Sequence, residues 1–587
     1  MNKKMLAGVL SAAIVWTSVF TTPVFATGAM SVSQNEIAEV TVSENGAVSQ
    51  NQAVQISQNE VQSEGSVEKQ DELVAVDLSQ NTKPEGDGSA KATKSAAKNL
   101  KVVVKNGKLC VTATVKKKVK SKDTKYYLVT VDPDTGKFEK AIMSVKKTKN
   151  VSFTTPIRGA KGVNLIHGKY AIAVKNGSKY TLISKAQFVA NPEDAAVYTA
   201  PFPTIRSKKG LQGTNSTQMA GGQCFMNCVI NTSIASNEQL GGTKYVYNGK
   251  TYWFNDLWGG AISEANRKGL VTTCQFMMTW PGTDRYGHLL LNAKNGGAPM
   301  RYYAINASNK KSRQLLEAYF CFLAERYSKE SCHLDNWVIG NEVNIYPMWF
   351  YAGNTGHGKF MENYANLFRI VYYSVKGYNK NARVYICTDH TWTDRCGDWG
   401  AKSFMSAFNK EIKKQNKKIQ WNLAYHAYPA ILTSAATWND RFTTNSENSE
   451  FVTPKNLHIL TSYVKKNYGT SCRIILTEQG FTANSGSNVQ AAAIAYTFYK
   501  AQFDDMIDAV IFRAEYDDPG EVAQGLSFGL IASNGKKRPA YNVYKYMDTP
   551  QYEKYTNAYL STIGVSSWKE VAPNFDASVF DKNNDEE

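Results

Sequence analysis

Short apolar runs alternate with longer amphipathic stretches from about residue 204 to residue 515. The runs are rich in Val, Ile and Leu without polar alternation, which is typical of parallel strands covered by helices. The stretches between them, such as SRQLLEAYFCFLAERY and VQAAAIAYTFYKAQF, show helical spacing, and a last helix is predicted near PAYNVYKYM. Eight strand–helix units predict a (β/α)8 TIM barrel. The predicted strands are 204–211, 223–231, 270–279, 335–342, 383–389, 419–426, 473–478 and 508–515.

A different pattern precedes the barrel. Segments such as LKVVVKNGKLCVTATV and KYYLVTVDPDTGKF are short and alternating, and NGK, PDTG and NGS supply turns between them. This pattern predicts a small antiparallel β-sandwich over 99–192, followed by the barrel over 197–565 and a C-terminal tail over 566–587. The lysine run KKKVKSK (116–122) suits a charged edge or loop, and a grip on an anionic glycan is the alternative.

The N-terminus has a secretory pattern. Lys3 and Lys4 precede an apolar run too short to span a membrane, and Val24-Phe25-Ala26 suits cleavage after Ala26. Residues 27–98 repeat motifs such as VSQNE and ISQNE and are poor in aromatic residues, so we expect a disordered spacer. No later segment is apolar enough to cross a bilayer. The sequence therefore predicts a secreted protein.

Charge is distributed unevenly along the chain. The formal net charge is +18, yet residues 27–97 hold 11 acidic and 4 basic side chains. The rest of the mature chain is therefore strongly basic, which favours acidic partners such as anionic glycans. No nucleic-acid-binding motif is present, so we do not predict a nucleic-acid partner, and nothing in the sequence indicates an oligomeric state.

The nine cysteines are too sparse and uneven for a disulfide scaffold. Cys224 and Cys228 are four residues apart without a second pair, so no zinc site is predicted. A Cys387–Cys396 bridge is left open. We predict neither a metal nor a cofactor.

Polar residues end five consecutive predicted strands, four to eight. They are Asn341-Glu342, Asp389-His390, His426 with Tyr428, Glu478, and Arg513 with Glu515. In a barrel of this kind the active site lies at the C-terminal ends of the strands. Strands four and seven face each other across the mouth, so Glu342 and Glu478 are expected to share one cleft. Two carboxyl groups in one cleft are what glycoside hydrolysis requires.

Asn-Glu at the fourth strand, a lone Glu at the seventh and HAY at the sixth resemble the motifs of clan A glycoside hydrolases, which are retaining (β/α)8 barrels. The resemblance covers roughly residues 204–550. More narrowly, SKKGLQG (207–213) with the NE, DHTW and HAYP motifs resembles a bacterial family of uncharacterised glycosidase-like barrels.

The resemblance implies a role for each residue. Glu342 would be the acid/base and Glu478 the nucleophile, with their carboxyl groups about 5–5.5 Å apart. Asn341 would bind the sugar 2-hydroxyl. Tyr428 would orient Glu478, with His426 in the same network.

One position departs from the clan pattern. Phe512-Arg513 stands where clan members commonly present a tryptophan as a sugar-stacking floor. A guanidinium suits a carboxylate or sulfate better than a neutral sugar face, which favours an acidic or substituted sugar. The alternative is a structural ion pair between Arg513 and Glu515 or Asp517.

Further side chains are candidates for the mouth. Trp280, Trp349, Trp392 and Trp399 follow predicted strands, and we expect roughly two of the four to stack on substrate. Asp389 and His390 are interpreted as ligands of sugar hydroxyls or as supports for such ligands. Asn227 and Asn231 either reach the cleft or cap turns. The segment 240–256 predicts a hairpin over the mouth.

The sequence motifs are compatible with three functions. A secreted retaining glycosidase is favoured because both glutamates, the asparagine and His-x-Tyr are present. A barrel that binds glycans without cleaving them, with the sandwich as a surface adhesin, is the alternative. A metal-dependent hydrolase using Asp389, His390 and His426 is disfavoured because the seven histidines show no paired ligand spacing.

Overall fold

The computed structural model describes residues 96–116, 119–213, 221–282, 286–292, 300–394 and 399–581. The predicted signal peptide, most of the predicted spacer and Cys396 lie outside the described residues. Among the described cysteines, Cys387 is a free thiol.

Two antiparallel sheets come first in the described chain, as the alternating pattern predicts. Alternate residues of the first sheet are buried against the second sheet, whose strand Lys169–Asn176 is buried on both faces. One sheet joins β1 (Ala97–Lys105), β2 (Lys108–Val115) and β5 (Asn150–Pro156). The other joins β3 (Lys125–Val131), β4 (Phe138–Lys146), β6 (Lys169–Asn176), β7 (Lys179–Leu182) and β8 (Gln187–Phe188).

An eight-stranded parallel sheet follows and confirms the predicted barrel-like architecture. From the third strand, Val271–Met277, onward each strand pairs with the barrel strand before it, and the first strand, Lys209–Leu211, pairs with the last, Ile507–Phe512. The Gly222 amide donates to the Lys209 carbonyl oxygen at 3.0 Å, which brings the first two strands together. The strands are β9 (Lys209–Leu211), β10 (Gln223–Val229), β13 (Val271–Met277), β14 (Asn336–Ile339), β15 (Arg383–Thr388), β16 (Asn422–Tyr425), β17 (Ile474–Gln479) and β18 (Ile507–Phe512), with β11 and β12 in the hairpin below.

Helices cover the outside of this sheet. Small and branched side chains, among them Val338, Cys387 and Ala424, fill the space inside it. The helices are α1 (Gly259–Arg267), α2 (Lys310–Arg326), α3 (His357–Tyr378), α4 (Ala401–Gln415), α5 (Leu457–Tyr468), α6 (Ser487–Gln502) and α7 (Pro539–Tyr546), with shorter α-helical turns at Ile230–Ser233, Pro519–Val522, Tyr552–Thr556, Leu560–Ile563 and Trp568–Val571. No helix in the described part of the chain is long and apolar enough to cross a membrane.

The predicted hairpin is present, but its position differs from the prediction. Strands β11 (Thr243–Tyr247) and β12 (Lys250–Phe254) are joined by Asn248 and Gly249, both with positive φ, as a tight hairpin turn requires. Phe254 packs edge-on against Tyr319 of α2 at 5.3 Å, and the Asn248 amide donates to the Gly162 carbonyl oxygen. The hairpin is therefore held against the outside of α2 and the first domain, because its aromatic residues find apolar partners there.

Candidate active site

Three strands deliver the two glutamates and a histidine to one place. Glu342 follows β14, His426 follows β16, and Glu478 is the penultimate residue of β17. The carboxyl ends of parallel strands meet at one edge of the sheet, so residues far apart in sequence converge there. His426 Nδ1 lies 2.8 Å from Glu342 Oε1, and the charge of Glu478 acts on the same imidazole. Glu342 therefore contacts His426, and Glu478 is close enough to act on the same imidazole through its charge.

The backbone at Glu342 is unusual. The chain leaves β14 at Gly340, whose φ is +83°, and a Cβ there would lie 2.5 Å from Val343 Cγ1. Glu342 itself has φ +42° and ψ +52°, the left-handed region that a residue with a side chain rarely adopts. The Glu342 side chain at this strained position is largely buried, with 13% of its surface exposed. Such strain is typical of functional positions.

Glu478 is held by two hydrogen-bond donors. The Tyr428 hydroxyl donates to Glu478 Oε1 at 2.7 Å, and Gln212 Nε2 lies 3.5 Å from Oε2. Gln212 also donates to the Thr477 carbonyl oxygen at 2.9 Å, so its amide is fixed beside the carboxylate. Hydrogen bonds to an ionised carboxylate favour the charged form.

The environments of the two glutamates shift their pKa values in opposite directions. Burial raises the pKa of Glu342, and the charges of Asp389 and Glu478 add to the rise, while His426 acts against it. Burial would also raise the pKa of Glu478, but His426, Arg513 and the Tyr428 hydroxyl together lower it. One carboxyl group is thus inclined to keep a proton and the other to lose it, which is the division that acid catalysis beside a nucleophile requires.

His426 is completely buried and contacts a partner at each ring nitrogen. Nδ1 meets Glu342, and Nε2 lies 3.3 Å from Cys387 Sγ. Burial would lower the pKa of His426, but Cys387, Glu478 and Glu342 together raise it well above its usual range. These neighbours therefore favour the protonated form of the imidazole.

Asn341 precedes Glu342 and is itself oriented by a neighbour. Gln275 Nε2 of β13 donates to Asn341 Oδ1 at 2.8 Å and also to the Gly340 carbonyl oxygen at 3.1 Å. The amide oxygen of Asn341 is thus occupied. Its amide nitrogen remains as the group that can donate to a ligand.

Arg513 has a protein carboxylate as its partner. Its Nε lies 2.6 Å from Glu521 Oε1, and its Nη1 donates to Gln212 Oε1 at 2.9 Å. The predicted alternatives for a structural pair were Glu515 and Asp517. Asp517 instead pairs with Arg538, and Glu521 occupies the Arg513 guanidinium. An anionic sugar group at this guanidinium would have to compete with Glu521.

Asp389 and His390 brace the loop after β15. Asp389 accepts from the Asn344 amide at 2.6 Å and from the Thr391 hydroxyl at 2.8 Å. His390 Nδ1 lies 3.0 Å from the Tyr428 carbonyl oxygen. Both are nearly buried, and Asp389 acts on Glu342 through its charge. On the second strand's loop, Asn231 binds the backbone and hydroxyl of Thr279, which matches the turn-capping alternative, whereas Asn227 is exposed.

The four candidate tryptophans occupy different environments. Trp392 is fully buried, its ring nitrogen donates to the Glu447 carbonyl oxygen, and its ring packs edge-on against Tyr463. This placement corrects the prediction that Trp392 binds substrate, because a side chain enclosed by the core cannot stack on a sugar. The other three are partly exposed: Trp280 packs against Tyr303, Trp399 stacks on His357 at 4.1 Å, and Trp349 lies in the loop after β14.

Several residues of the site were missed by the sequence analysis. Their sequence signal is weak because none of them is a charged residue at the end of a predicted strand, and none belongs to the Asn-Glu or His-x-Tyr motif. Tyr302, for example, comes from the long loop after β13; burial raises its pKa, the charge of Glu478 adds to the rise, and Arg301 and Arg513 oppose it. The others are Gln212, Gln275, Cys387 and Glu521. No cluster of three His, Cys, Asp or Glu side chains that could hold a metal ion occurs among the described residues.

The model of DUF5722, a family of unknown function, matches residues 201–571. The match covers more than half of the chain. This chain belongs to DUF5722. Every residue of the site described above lies within the matched segment, so the carboxyl pair and its partners are features of the DUF5722 part of the chain.

Solved structures similar to this DUF5722 chain were also found. They include a family 39 glycoside hydrolase from the gut symbiont Bacteroides cellulosilyticus WH2, with 13% identity, a TM-score of 0.39, and coverage of 76% of this chain and 82% of that chain. A glucosidase from Croceicoccus marinus has 11% identity, a TM-score of 0.35, and coverage of 62% and 63%. A calcium-binding mutant of Bacteroides uniformis β-glucuronidase 2 has 10% identity, a TM-score of 0.34, and coverage of 75% and 48%.

The DUF5722 chain thus matches about half of the glucuronidase chain. A search of the curated proteins found no match. The structural similarities are distant, with identities of 13% or less and TM-scores below 0.4.

Proposed function

We propose that this protein is an exported glycoside hydrolase that cleaves a poly- or oligosaccharide by retaining double displacement. Glu342 is the acid/base and Glu478 the nucleophile. The observation that supports this most strongly is that Glu342 contacts His426 at 2.8 Å, while the surroundings of Glu342 and Glu478 shift the pKa values of these two carboxyl groups apart. Export is proposed from the secretory pattern of the first 26 residues.

In the first step the ionised Glu478 attacks the anomeric carbon, and the bond from that carbon to the leaving oxygen breaks. The proton of Glu342 passes to the leaving oxygen. Tyr428 and Gln212 hold the attacking carboxylate in place, since both hydrogen-bond to it. The product of this step is a glycosyl ester on Glu478.

In the second step Glu342, now ionised, takes a proton from water, and the water oxygen attacks the anomeric carbon. The ester bond to Glu478 breaks, which restores both carboxyl groups. Two inversions leave the configuration retained, and this mechanism predicts carboxyl groups about 5–5.5 Å apart. The amide nitrogen of Asn341 is placed to donate to the hydroxyl beside the reacting carbon.

The character of the substrate is a separate question. Arg513 was interpreted as a site for an acidic or substituted sugar, but its pairing with Glu521 favours a structural role. Through its charge Arg513 also lowers the pKa of Glu478, so it favours the ionised form of the proposed nucleophile. An acidic or substituted glycan remains a hypothesis to be tested with substrates of both kinds.

The proposal is tested by labelling the nucleophile. Cyclophellitol aziridines of gluco, galacto and glucurono configuration react only with an activated carboxylate nucleophile. We expect one of the three to add a single label per chain at Glu478, detected by intact mass and peptide mapping, and the Glu478→Gln variant to remain unlabelled. Labelling elsewhere would contradict the assignment. Binding of glycans without any label would favour the non-catalytic barrel, and the reactive configuration would report whether the sugar is acidic.

Tyr428→Phe removes the 2.7 Å hydrogen bond to Glu478 without changing the ring. This bond is one of the contacts that lower the pKa of Glu478, so its loss raises that pKa. Since Glu478 must be ionised to attack, the acidic limb of the kcat/KM profile is expected to move to higher pH. We expect kcat to fall by about 10–10²-fold. An unchanged acidic limb, measured on an aryl glycoside, would argue against this contact acting on the nucleophile.

A further inference from the structure

Residues 96–190, which form the two antiparallel sheets, contain 20 lysines and one arginine but four acidic residues. Their net charge of +17 nearly equals the +18 of the entire chain. The positive charge of this protein therefore belongs chiefly to the domain that precedes the barrel, and a function of that charge is to be sought there.

Three of the four acidic residues are directed at the barrel. Asp132 and Asp134 each lie 2.6 Å from the nearly buried guanidinium of Arg313 on α2, and Glu139 pairs with Lys310 at 3.0 Å. The fourth acidic residue is Asp123, which accepts from the Tyr127 hydroxyl. Because the acidic groups serve mainly to dock the domain, the surface that points away from the barrel is left strongly cationic.

The outward face of the sheet β1–β2–β5 concentrates part of this charge. On β1 and β2 alternate residues point outward, and they include the exposed side chains of Lys101, Lys105 and Lys108. Exposed Thr112 and Ser152 lie on the same face, in register with each other and with Lys101. We call these five residues the lysine face.

The lysine face carries like charges without protein counterions. Lys105 and Lys108 are direct cross-strand partners, an arrangement that is unfavourable for two equal charges. Lys105 and Lys108 lie within the screening length of physiological salt, whereas Lys101, four residues before Lys105 on β1, is about 13 Å away and extends the positive charge along the strand. Within the described residues none of the three forms a salt bridge. An external anion would relieve this repulsion.

The other side chains on the outward side of this sheet indicate which class of polyanion it can bind. The outward positions of β1, β2 and β5 are Lys, Val, Cys, Thr, Ser, Asn and Pro, with no aromatic ring on which a base could stack. The face also lacks the large apolar side chains by which a protein inserts into a lipid surface. Hydroxyl groups beside ammonium groups suit a polymer that carries both hydroxyl and carboxylate or sulfate groups.

We propose that the lysine face binds an anionic polysaccharide and so attaches the catalytic barrel to an acidic glycan matrix. This role does not depend on the chemistry proposed for Glu342 and Glu478. It also differs from recognition in the cleft, because the lysine face lies on a separate domain.

The test uses the full mature chain, residues 27–587, carrying Glu478→Ala so that no cleavage interferes. Binding to immobilised polygalacturonate is measured against salt concentration. The test variant is Lys101→Gln/Lys105→Gln/Lys108→Gln. Its matched control is Lys410→Gln/Lys417→Gln/Lys418→Gln, which removes three exposed lysines from the barrel.

We expect the test variant to bind at least about 10-fold more weakly at 0.1 M salt, with a shallower salt dependence, and the control to stay within about 2-fold. Circular dichroism checks that each variant is folded. The proposal is overturned if the parent chain does not bind polygalacturonate at low salt, or if the control weakens binding as much as the test variant does. It is equally overturned if neutral dextran, duplex DNA or phosphatidylglycerol vesicles bind the lysine face more tightly.

Discussion

Glu478→Gly is expected to lower the turnover of an aryl glycoside by about 10³-fold or more, because the variant lacks the proposed nucleophile. Azide, which is small enough to enter the vacated space, should restore turnover. It would attack from the side that Glu478 occupied, in a single displacement, so the glycosyl azide should have the inverted configuration. The measurement is the rate with and without azide, with the anomeric configuration read by NMR.

The matched variant is Glu342→Gly. A dinitrophenyl leaving group departs without protonation, so glycosylation of Glu478 should proceed and the second step should limit turnover. Azide should then attack the glycosyl enzyme and yield the azide of retained configuration. The two variants thus predict opposite stereochemistry from one reagent. Identical products from both, or full activity without azide in either, would refute the assigned roles.

The second large effect is expected from His426→Ala. The imidazole lowers the pKa of Glu478 through its charge and opposes the rise in the pKa of Glu342 through its hydrogen bond and charge. Its removal therefore raises both pKa values. In the proposed mechanism Glu478 must be ionised, so the acidic limb of the kcat/KM profile moves to higher pH. Glu342 must be protonated, so the basic limb also moves to higher pH. We expect kcat to fall by about 10–10²-fold.

His390→Ala is the control for this shift. His390 is a neighbouring, nearly buried imidazole that contacts the Tyr428 carbonyl oxygen, not either glutamate. Both limbs should stay in place in this variant. Limbs that move in opposite directions in His426→Ala, or that move equally in both variants, would show that His426 does not act on the two carboxyl groups as proposed.

The barrel strands were predictable because each is a short, continuous apolar run between polar segments. All eight predicted strands occur, although several are shorter than predicted; the fourth, for example, ends at Ile339 instead of Glu342. The chain turns there because Gly340 and Glu342 adopt left-handed backbone conformations. Helix α2 begins at Lys310, two residues before the predicted stretch SRQLLEAYFCFLAERY, because its first turn is polar and carries little periodic signal.

The principal site residues were predictable for a topological reason. The carboxyl ends of parallel strands lie at one edge of the sheet. Polar residues that end apolar runs therefore come close together, whatever the length and sequence of the connecting loops. Trp392 shows the limit of that reasoning. Its position after a strand is the same as that of a mouth residue, but its ring turns into the core against Tyr463 of α5. The position of a residue just after a strand does not determine whether its side chain points into the mouth or into the core.

By itself, the sequence determined the eight strands, the antiparallel domain before them, the glutamate pair and the basic balance of charge, since local pattern and composition carry these features. Only the tertiary structure decided the partners: Gln212 on Glu478, Cys387 on His426, and Glu521 on Arg513. It also decided that Asp132 and Asp134 are directed to Arg313, leaving the lysines facing outward. The physical reason is that ion pairs and hydrogen bonds act over a few ångströms in space and leave no periodic signal along the chain.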